Sequence, residues 1–305
     1  MRARYLTVDV FTDRRFTGNQ LAVFPDGRGI DAGRMQAIAR EFNLSETVFV
    51  LPPDDPRHAR RLRIFTPGRE LPFAGHPTVG TAWVLAHVGL VPLRGDRTDI
   101  VLEEGVGPVR VAIAGEQGRP VSSQLAVAKL PEAGPPPPAA GDLAAMLSLD
   151  ASDLDAAPWE PQGFSCGVPF LFVPVRTRDA VARVRARPDA FDRTLGDWWT
   201  SAVFVFSREV ERSGSDLHAR MFAPELGVSE DPATGSAVAA LGGYLGARDA
   251  THDGVRRWVV EQGFEMGRPS ILELEVEKQA GRITDVRVGG PTVFVSEGEM
   301  EVGSE

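Results

Sequence analysis

Three residues stand where a proton could be moved: Glu46 in 43-NLSETVFV-50, His76 in 66-TPGRELPFAGHPTVG-80 and Asp231 in 230-EDPATGSA-237. A carboxylate among apolar neighbours gains basicity, because burial disfavours its charged form. Glu46, flanked by Leu44, Val48 and Phe49, could therefore take a proton from a carbon next to an unsaturated system. Ser45 beside it is a candidate substrate contact. His76 follows Gly75 and Ser236 follows Gly235, in two stretches of the same pattern, Glu-x-Pro-x-x-Gly-polar, starting at Glu70 and Glu230. In both, Pro and Gly open the backbone just before an apolar run. Free N–H groups and the positive end of a helix dipole then meet at Gly75 and Gly235, where a carboxylate or a developing negative charge is stabilised. Two such stretches facing each other would make the two walls of one cleft. More ordinary roles compete: Asp231 as an N-cap, His76 as a capping side chain, Glu46 at an exposed strand edge. The matched positions favour chemistry.

These side chains need elements to carry them. Residues 4–10 alternate as a strand does and 20–24 form a second apolar segment, with a polar turn between, which predicts a hairpin. Asp31 precedes Met35, Ile38, Ala39 and Phe42, the spacing of a helix capped by Asp31 and ending near Asn43. Residues 46–51 and 60–65 read as strands. The runs 77–90 and 237–247 are apolar on nearly every face, so each predicts a helix buried on all sides. Further strands are expected at 169–175, 201–206, 217–223, 271–277, 283–289 and 292–296. The four consecutive prolines of 128-AKLPEAGPPPPAAGD-142 predict an extended, solvated connector. The boundary falls there, giving halves 1–128 and 129–291, the first joined by the last strand near 292–296. The fold class is α/β of the α+β kind.

Bulk properties narrow the function. A chain of 305 residues with 43% hydrophobic and 25% charged residues can bury two ordinary cores. Net charge is −9 and no Lys/Arg block occurs, so nucleic acid is not expected as a partner. Apolar runs are too short to cross a membrane, and the start lacks a secretion-type apolar stretch. A single cysteine, Cys166, forbids an intramolecular disulfide and suits the cytoplasm. The five histidines lack zinc-site spacing, so no metal is expected.

NLSETVFV, FTPGRELPFAGHPTVG, MFAPELGVSEDPATGSA and EMGRPS together resemble the PhzF family, the phenazine-biosynthesis-like isomerases of the diaminopimelate epimerase superfamily. The resemblance spans nearly the whole chain. It implies two pseudo-symmetric halves, each a curved, mostly antiparallel sheet wrapped around a central buried helix, with the active site between them and a homodimer as the assembly. It also implies a cofactor-independent isomerase acting on a small carboxylic acid, as the founding enzyme does on trans-2,3-dihydro-3-hydroxyanthranilate, with a link to antibiotic biosynthesis. The family's catalytic Glu falls on Glu46, its Gly-His pair on Gly75 and His76, its Asp on Asp231 and its Gly-Ser pair on Gly235 and Ser236. Gln20 stands where the family has Pro, and the tail 297–305 matches nothing assignable. Amino-acid epimerisation in the superfamily uses two thiols at the helix starts, and here those positions hold His76 and Ser236. An epimerase-like enzyme without that pair, or a binding protein without turnover, are the alternatives.

Overall fold

A computed structural model describes residues 1–303. The chain divides into two compact units, 1–128 with the segment from Gly289 onward, and Lys129–Val288. In the first unit the strands are β1 (Arg2–Val10), β2 (Asn19–Phe24), β3 (Glu46–Leu51), β4 (Arg60–Phe65), β5 (Glu70–Leu71), β6 (Arg97–Glu104), β7 (Gly107–Glu116) and β8 (Arg119–Ala126), with helices α1 (Ala32–Phe42) and α2 (Gly75–His87). The second unit has strands β9 (Glu132–Ala133), β10 (Gln162–Ser165), β11 (Pro169–Pro174), β12 (Val203–Ser207), β13 (Leu217–Ala223), β14 (Val228–Asp231), β15 (Gly254–Gln262) and β16 (Ser270–Gln279). Its helices are α3 (Ala140–Met146), α4 (Arg178–Arg183), α5 (Pro188–Leu195) and α6 (Gly235–Arg248). The long strand β17 (Arg282–Glu301) has residues in both units.

Pairing is mostly antiparallel, and the two parallel pairs of each unit correspond: β2 with β3 and β4 with β6 in the first, β11 with β12 and β13 with β15 in the second. In the first unit β17 pairs with β1 and with β8, so the sheet runs round on itself. α2 fills its inside. Every residue from Gly75 to Leu85 is buried, as an all-apolar helix requires, and the indole N–H of Trp83 donates to Pro120 O at 2.9 Å. α6 fills the second unit in the same way. Its glycines let strands come close: a Cβ at Gly243 would lie 2.7 Å from the Phe164 ring, and one at Gly246 2.8 Å from Ile283.

The amphipathic α1 starts at Asp31, whose side chain accepts from Arg34 N at 3.0 Å, and ends on Asn43 in the left-handed region, as its spacing predicts. Met35, Ile38 and Ala39 pack against Phe24, Phe49 and Phe65 on the outer face of the first sheet. α3, α4 and α5 make the outer layer of the second, over Leu171, Val173, Val203 and Val205.

Three expectations need correction. The Pro-rich segment is exposed or half-buried, as expected of a solvated connector, but it is anchored within the second unit: Glu132–Ala133 pairs with β10, the Trp198 indole donates to Pro136 O at 3.0 Å, and α3 already begins at Ala140. The two strands expected at 283–289 and 292–296 are one continuous strand. Most of the acidic tail belongs to it, through Arg4–Glu297 and Arg2–Glu301 pairs to β1, while Ser304 and Glu305 lie outside the described residues.

Two helical glycines should respond oppositely to alanine. A Cβ at Gly80 would sit 2.6 Å from Val10 Cγ2 and 2.7 Å from Leu21 Cδ2, so Gly80→Ala overpacks the centre and should cost about 1–3 kcal/mol. Gly141 in α3 is exposed with nothing nearby, so Gly141→Ala should gain up to about 1 kcal/mol from helix propensity. Chemical denaturation of both variants checks the contrast.

Candidate active site

Glu46 opens β3 and lies opposite Leu21 of the parallel strand β2. Its side chain is 15% exposed, so it is not an exposed edge residue. Its Oε2 lies 3.3 Å from His76 Nε2, without the alignment of a hydrogen bond. His76 is 5% exposed, in the first turn of α2. On the other side of the ring, Nδ1 lies 3.3 Å from the amide of Asn19, and the Gln20 backbone also bonds it. Burial pushes the imidazole down to about 3, against the Gln20 bond, which raises it. At neutral pH the ring is uncharged, and Nε2 has no hydrogen-bond partner among the described residues.

α2 begins without help. Its N-cap is Ala74, no side chain caps the first turn, and Pro77 contributes no N–H. The role of capping side chain is thus not the one His76 plays. Gly75 and His76 present their N–H groups where the dipole is positive, beside a neutral imidazole and a carboxylate. Ser45 lies exposed next to Glu46.

The second unit repeats the arrangement around different side chains. Asp231 ends β14 and is 8% exposed; its Oδ2 accepts from Thr234 Oγ1 at 2.5 Å. The N-cap of α6 is Thr234, so Asp231 is not the cap. Gly235 is buried and Ser236 half-buried at the start of α6. Gln262, fully buried, brackets this turn: its Nε2 donates to Asp231 O at 2.7 Å and Thr234 Oγ1 at 3.1 Å, and its Oε1 accepts from Thr234 N at 3.1 Å.

The leading Glu of each repeated stretch proves structural. Arg63 grips Glu70 with two bonds of 2.7 Å, and Arg220 grips Glu230 at 2.7 and 2.8 Å. A second repeat supports them, 101-VLEEG-105 and 259-VVEQG-263. Its first Glu ties down a loop in each unit. Glu103 accepts from Asp54 N, Asp55 N and His58, and Glu261 accepts from Glu211 N, Arg212 N and His218. Its Gly presses on the motif proline: a Cβ at Gly105 would lie 2.7 Å from Pro72 Cα, and one at Gly263 2.5 Å from Pro232 O. Asn19, Gln262 and this second repeat escaped the sequence reading. The signal for the repeat was the recurrence of Val-x-Glu-Glu/Gln-Gly.

Cys166 is no nucleophile: burial pushes its thiol up to about 12. Among the described residues no group of three or more His, Cys, Asp or Glu could hold a metal, and no helix is long and apolar enough to span a membrane.

Residues 8–298 match the family model described as phenazine biosynthesis-like protein. The chain belongs to the PhzF family. It is 43% identical over 299 residues to an uncharacterized isomerase of Mesorhizobium japonicum, covering 97% of this chain and 98% of that one. It is 35% identical over 297 residues to the trans-2,3-dihydro-3-hydroxyanthranilate isomerase of Pseudomonas aeruginosa, at 97% and 98% coverage. Among solved structures, the PhzF-family phenazine biosynthesis protein of Bacillus anthracis superposes with a TM-score of 0.88 at 26% identity, over 99% of both chains. A probable proline racemase of Agrobacterium radiobacter shares the fold, with a TM-score of 0.63 at 13% identity, covering 99% of this chain and 93% of that one. This PhzF-family chain is an isomerase of the α+β fold that the motifs imply.

The two buried histidines should titrate apart. His218 is 1% exposed; burial alone would lower it, but bonds to Glu261 at 2.7 Å and Glu265 at 2.8 Å raise it to about 9. Its stabilising effect is complete below the unfolded value near 6.5 and fades as pH climbs through about 9. His76, held neutral, shows no titration above pH ~5. Imidazole nitrogen shifts followed by NMR check both, and His218→Gln should remove the alkaline loss of stability.

Proposed function

We propose that this isomerase moves a proton between carbons of a small, unsaturated carboxylic acid without a cofactor, with Glu46 as the proton carrier. The observation that supports this most is the pair Glu46–His76: a mostly buried carboxylate 3.3 Å from a neutral imidazole, at an uncapped helix start. The N–H groups of Gly75 and His76 suit the substrate's carboxylate or the charge that builds up as the C–H bond breaks. Neutral His76 can donate or accept one hydrogen bond through Nε2, so it orients Glu46 or a substrate heteroatom without holding charge. Asp231, Gly235 and Ser236 take the binding part: the Asp231 carboxylate is aimed by Thr234, its backbone is held by Gln262, and it suits an amine or hydroxyl of the substrate. Ser45 completes the proposed contacts.

The relative in Pseudomonas aeruginosa is named for trans-2,3-dihydro-3-hydroxyanthranilate, which makes hydroxylated amino cyclohexadiene acids the first class to assay. The family resemblance supports a place in antibiotic biosynthesis and a homodimer as proposals, and the single cysteine supports a cytoplasmic location. The single cysteine and the net charge of −9 fit a reducing compartment and a partner other than nucleic acid.

Glu46→Gln keeps size and hydrogen bonding but removes the base. Turnover should drop at least ~10²-fold with little change in affinity. Asp231→Asn should weaken affinity and rate together. In deuterated water the wild type should place deuterium at the new C–H, or keep part of the original proton if it is shuttled directly. Near-full activity of Glu46→Gln on a verified substrate would refute Glu46 as the carrier.

A further inference from the structure

Glu104 has no place in the scheme above, yet it is the buried carboxyl nearest in sequence to the loop clamp and reaches the catalytic helix. It ends β6, is 8% exposed, and puts Oε1 2.7 Å from Thr78 Oγ1 in the first turn of α2. Its Oε2 is buried with no hydrogen-bond partner among the described residues. Thr78 Oγ1 also lies 2.7 Å from the carbonyl of Ala74, the N-cap of α2. One hydroxyl has one proton. If Thr78 donates to Ala74 O, the 2.7 Å contact to Glu104 requires the carboxyl to be the donor, which means a protonated Glu104. If Glu104 is ionised, Thr78 must turn to it and release Ala74 O.

The second unit supplies the comparison. Position for position, 101-VLEEG-105 matches 259-VVEQG-263, so Glu104 corresponds to Gln262. Gln262 also holds the start of its helix, donating to Asp231 O and Thr234 Oγ1, with Thr234 standing where the first unit has Ala74, and it is neutral at any pH. In the first unit the job falls to a residue that can ionise.

Resting on the assignment of the α2 start as the carboxylate-binding turn, we infer that Glu104 is a positioning residue that must carry its proton for that turn to accept an anion. Through Thr78 and Ala74 it fixes the backbone just before Gly75 and His76. Deprotonated, it would set a second negative charge at the helix start, where it competes with a substrate carboxylate for the dipole. The surroundings favour the neutral form: burial pushes Glu104 up to about 8, against the Thr78 bond, which lowers it. Each nearby cation already faces a carboxylate, although Arg61 bonds Asp54 only through Nη1 and its buried Nε has no partner among the described residues. Of the charged groups lining the hollow it shares, Arg61 pairs with Asp54, Arg57 with Asp55 and His58 with Glu103, while α2 presents only the neutral His76 at this end.

The test uses anthranilate, a ring carboxylate of fixed charge from pH 6 to pH 10, with affinity measured by calorimetry across that range. Wild-type affinity should be level to about pH 7, halve near pH 8 and fall ~10-fold by about pH 9, as one required proton dictates. Glu104→Gln should bind with no such loss. Infrared difference spectra, wild type minus Glu104→Gln, should show a protonated-carboxyl band at pH 7 that vanishes above pH ~9. Thr78→Val cuts the chain from Glu104 through Thr78 to Ala74, so its affinity at pH 7 should fall below the wild type's; this variant carries the test should Glu104→Gln not fold. Absence of the band at pH 7, pH-independent wild-type binding, a parallel fall in Glu104→Gln or wild-type affinity of Thr78→Val at pH 7 would each overturn the inference. Anthranilate binding at no pH would instead overturn the reading of the helix start as an anion site, and this inference with it.

Discussion

A helix without a polar face cannot stand at a surface, and the architecture of each unit follows from that constraint. α2 and α6 are built of small and aliphatic residues that water would destabilise on any side, so strands must surround them. Enclosure then creates the chemical opportunity. The body of the helix is sealed by side chains, but its first turn has backbone N–H groups that the helix itself cannot satisfy. In the first unit that turn meets a neutral imidazole and Glu46 rather than a capping side chain.

Keeping such a turn open demands a rigid frame, and the frame is made of carboxylates already held by partners. Glu70 and Glu230 are held by arginines, Glu103 and Glu261 by backbone N–H groups and histidines. Each is the acceptor in several charge-assisted bonds, which anchors the strand and loop on both flanks of the motif proline and glycine. The residues that look most reactive by charge in the repeated stretches are therefore held in the frame, and the proposed chemistry falls to those that follow the glycine or come from another strand.

The sequence made the central parts visible for a physical reason: absence of polarity over three helical turns is a strong signal, and so is a Pro–Gly break ahead of it. Glu46 stood out as one charge in an apolar strand. The strands β6–β8 and β15 went unread. β15 shows why: its first four residues are exposed, Arg256 and Arg257 among them, so it never alternates between two environments. α3, α4 and α5 have six to eight residues each, too few turns for a period to emerge. Asn19 could not be singled out because its partner, His76, is 57 positions away and nothing local marks the contact.

The second repeat shows how a duplicated scaffold can diverge in chemistry while keeping its geometry. Glu and Gln have the same shape, so exchange between positions 104 and 262 leaves strand end, glycine and proline in the same relation. What differs is the proton. Gln262 can donate to Thr234 under all conditions, whereas the contact between Glu104 and Thr78 has a direction that depends on whether the carboxyl is ionised. Burial pushes Glu104 up to about 8, so below that pH the acid keeps the proton that matches it to the amide at position 262. The two halves thus repeat one scaffold, and at this position only the first carries a group whose charge can change.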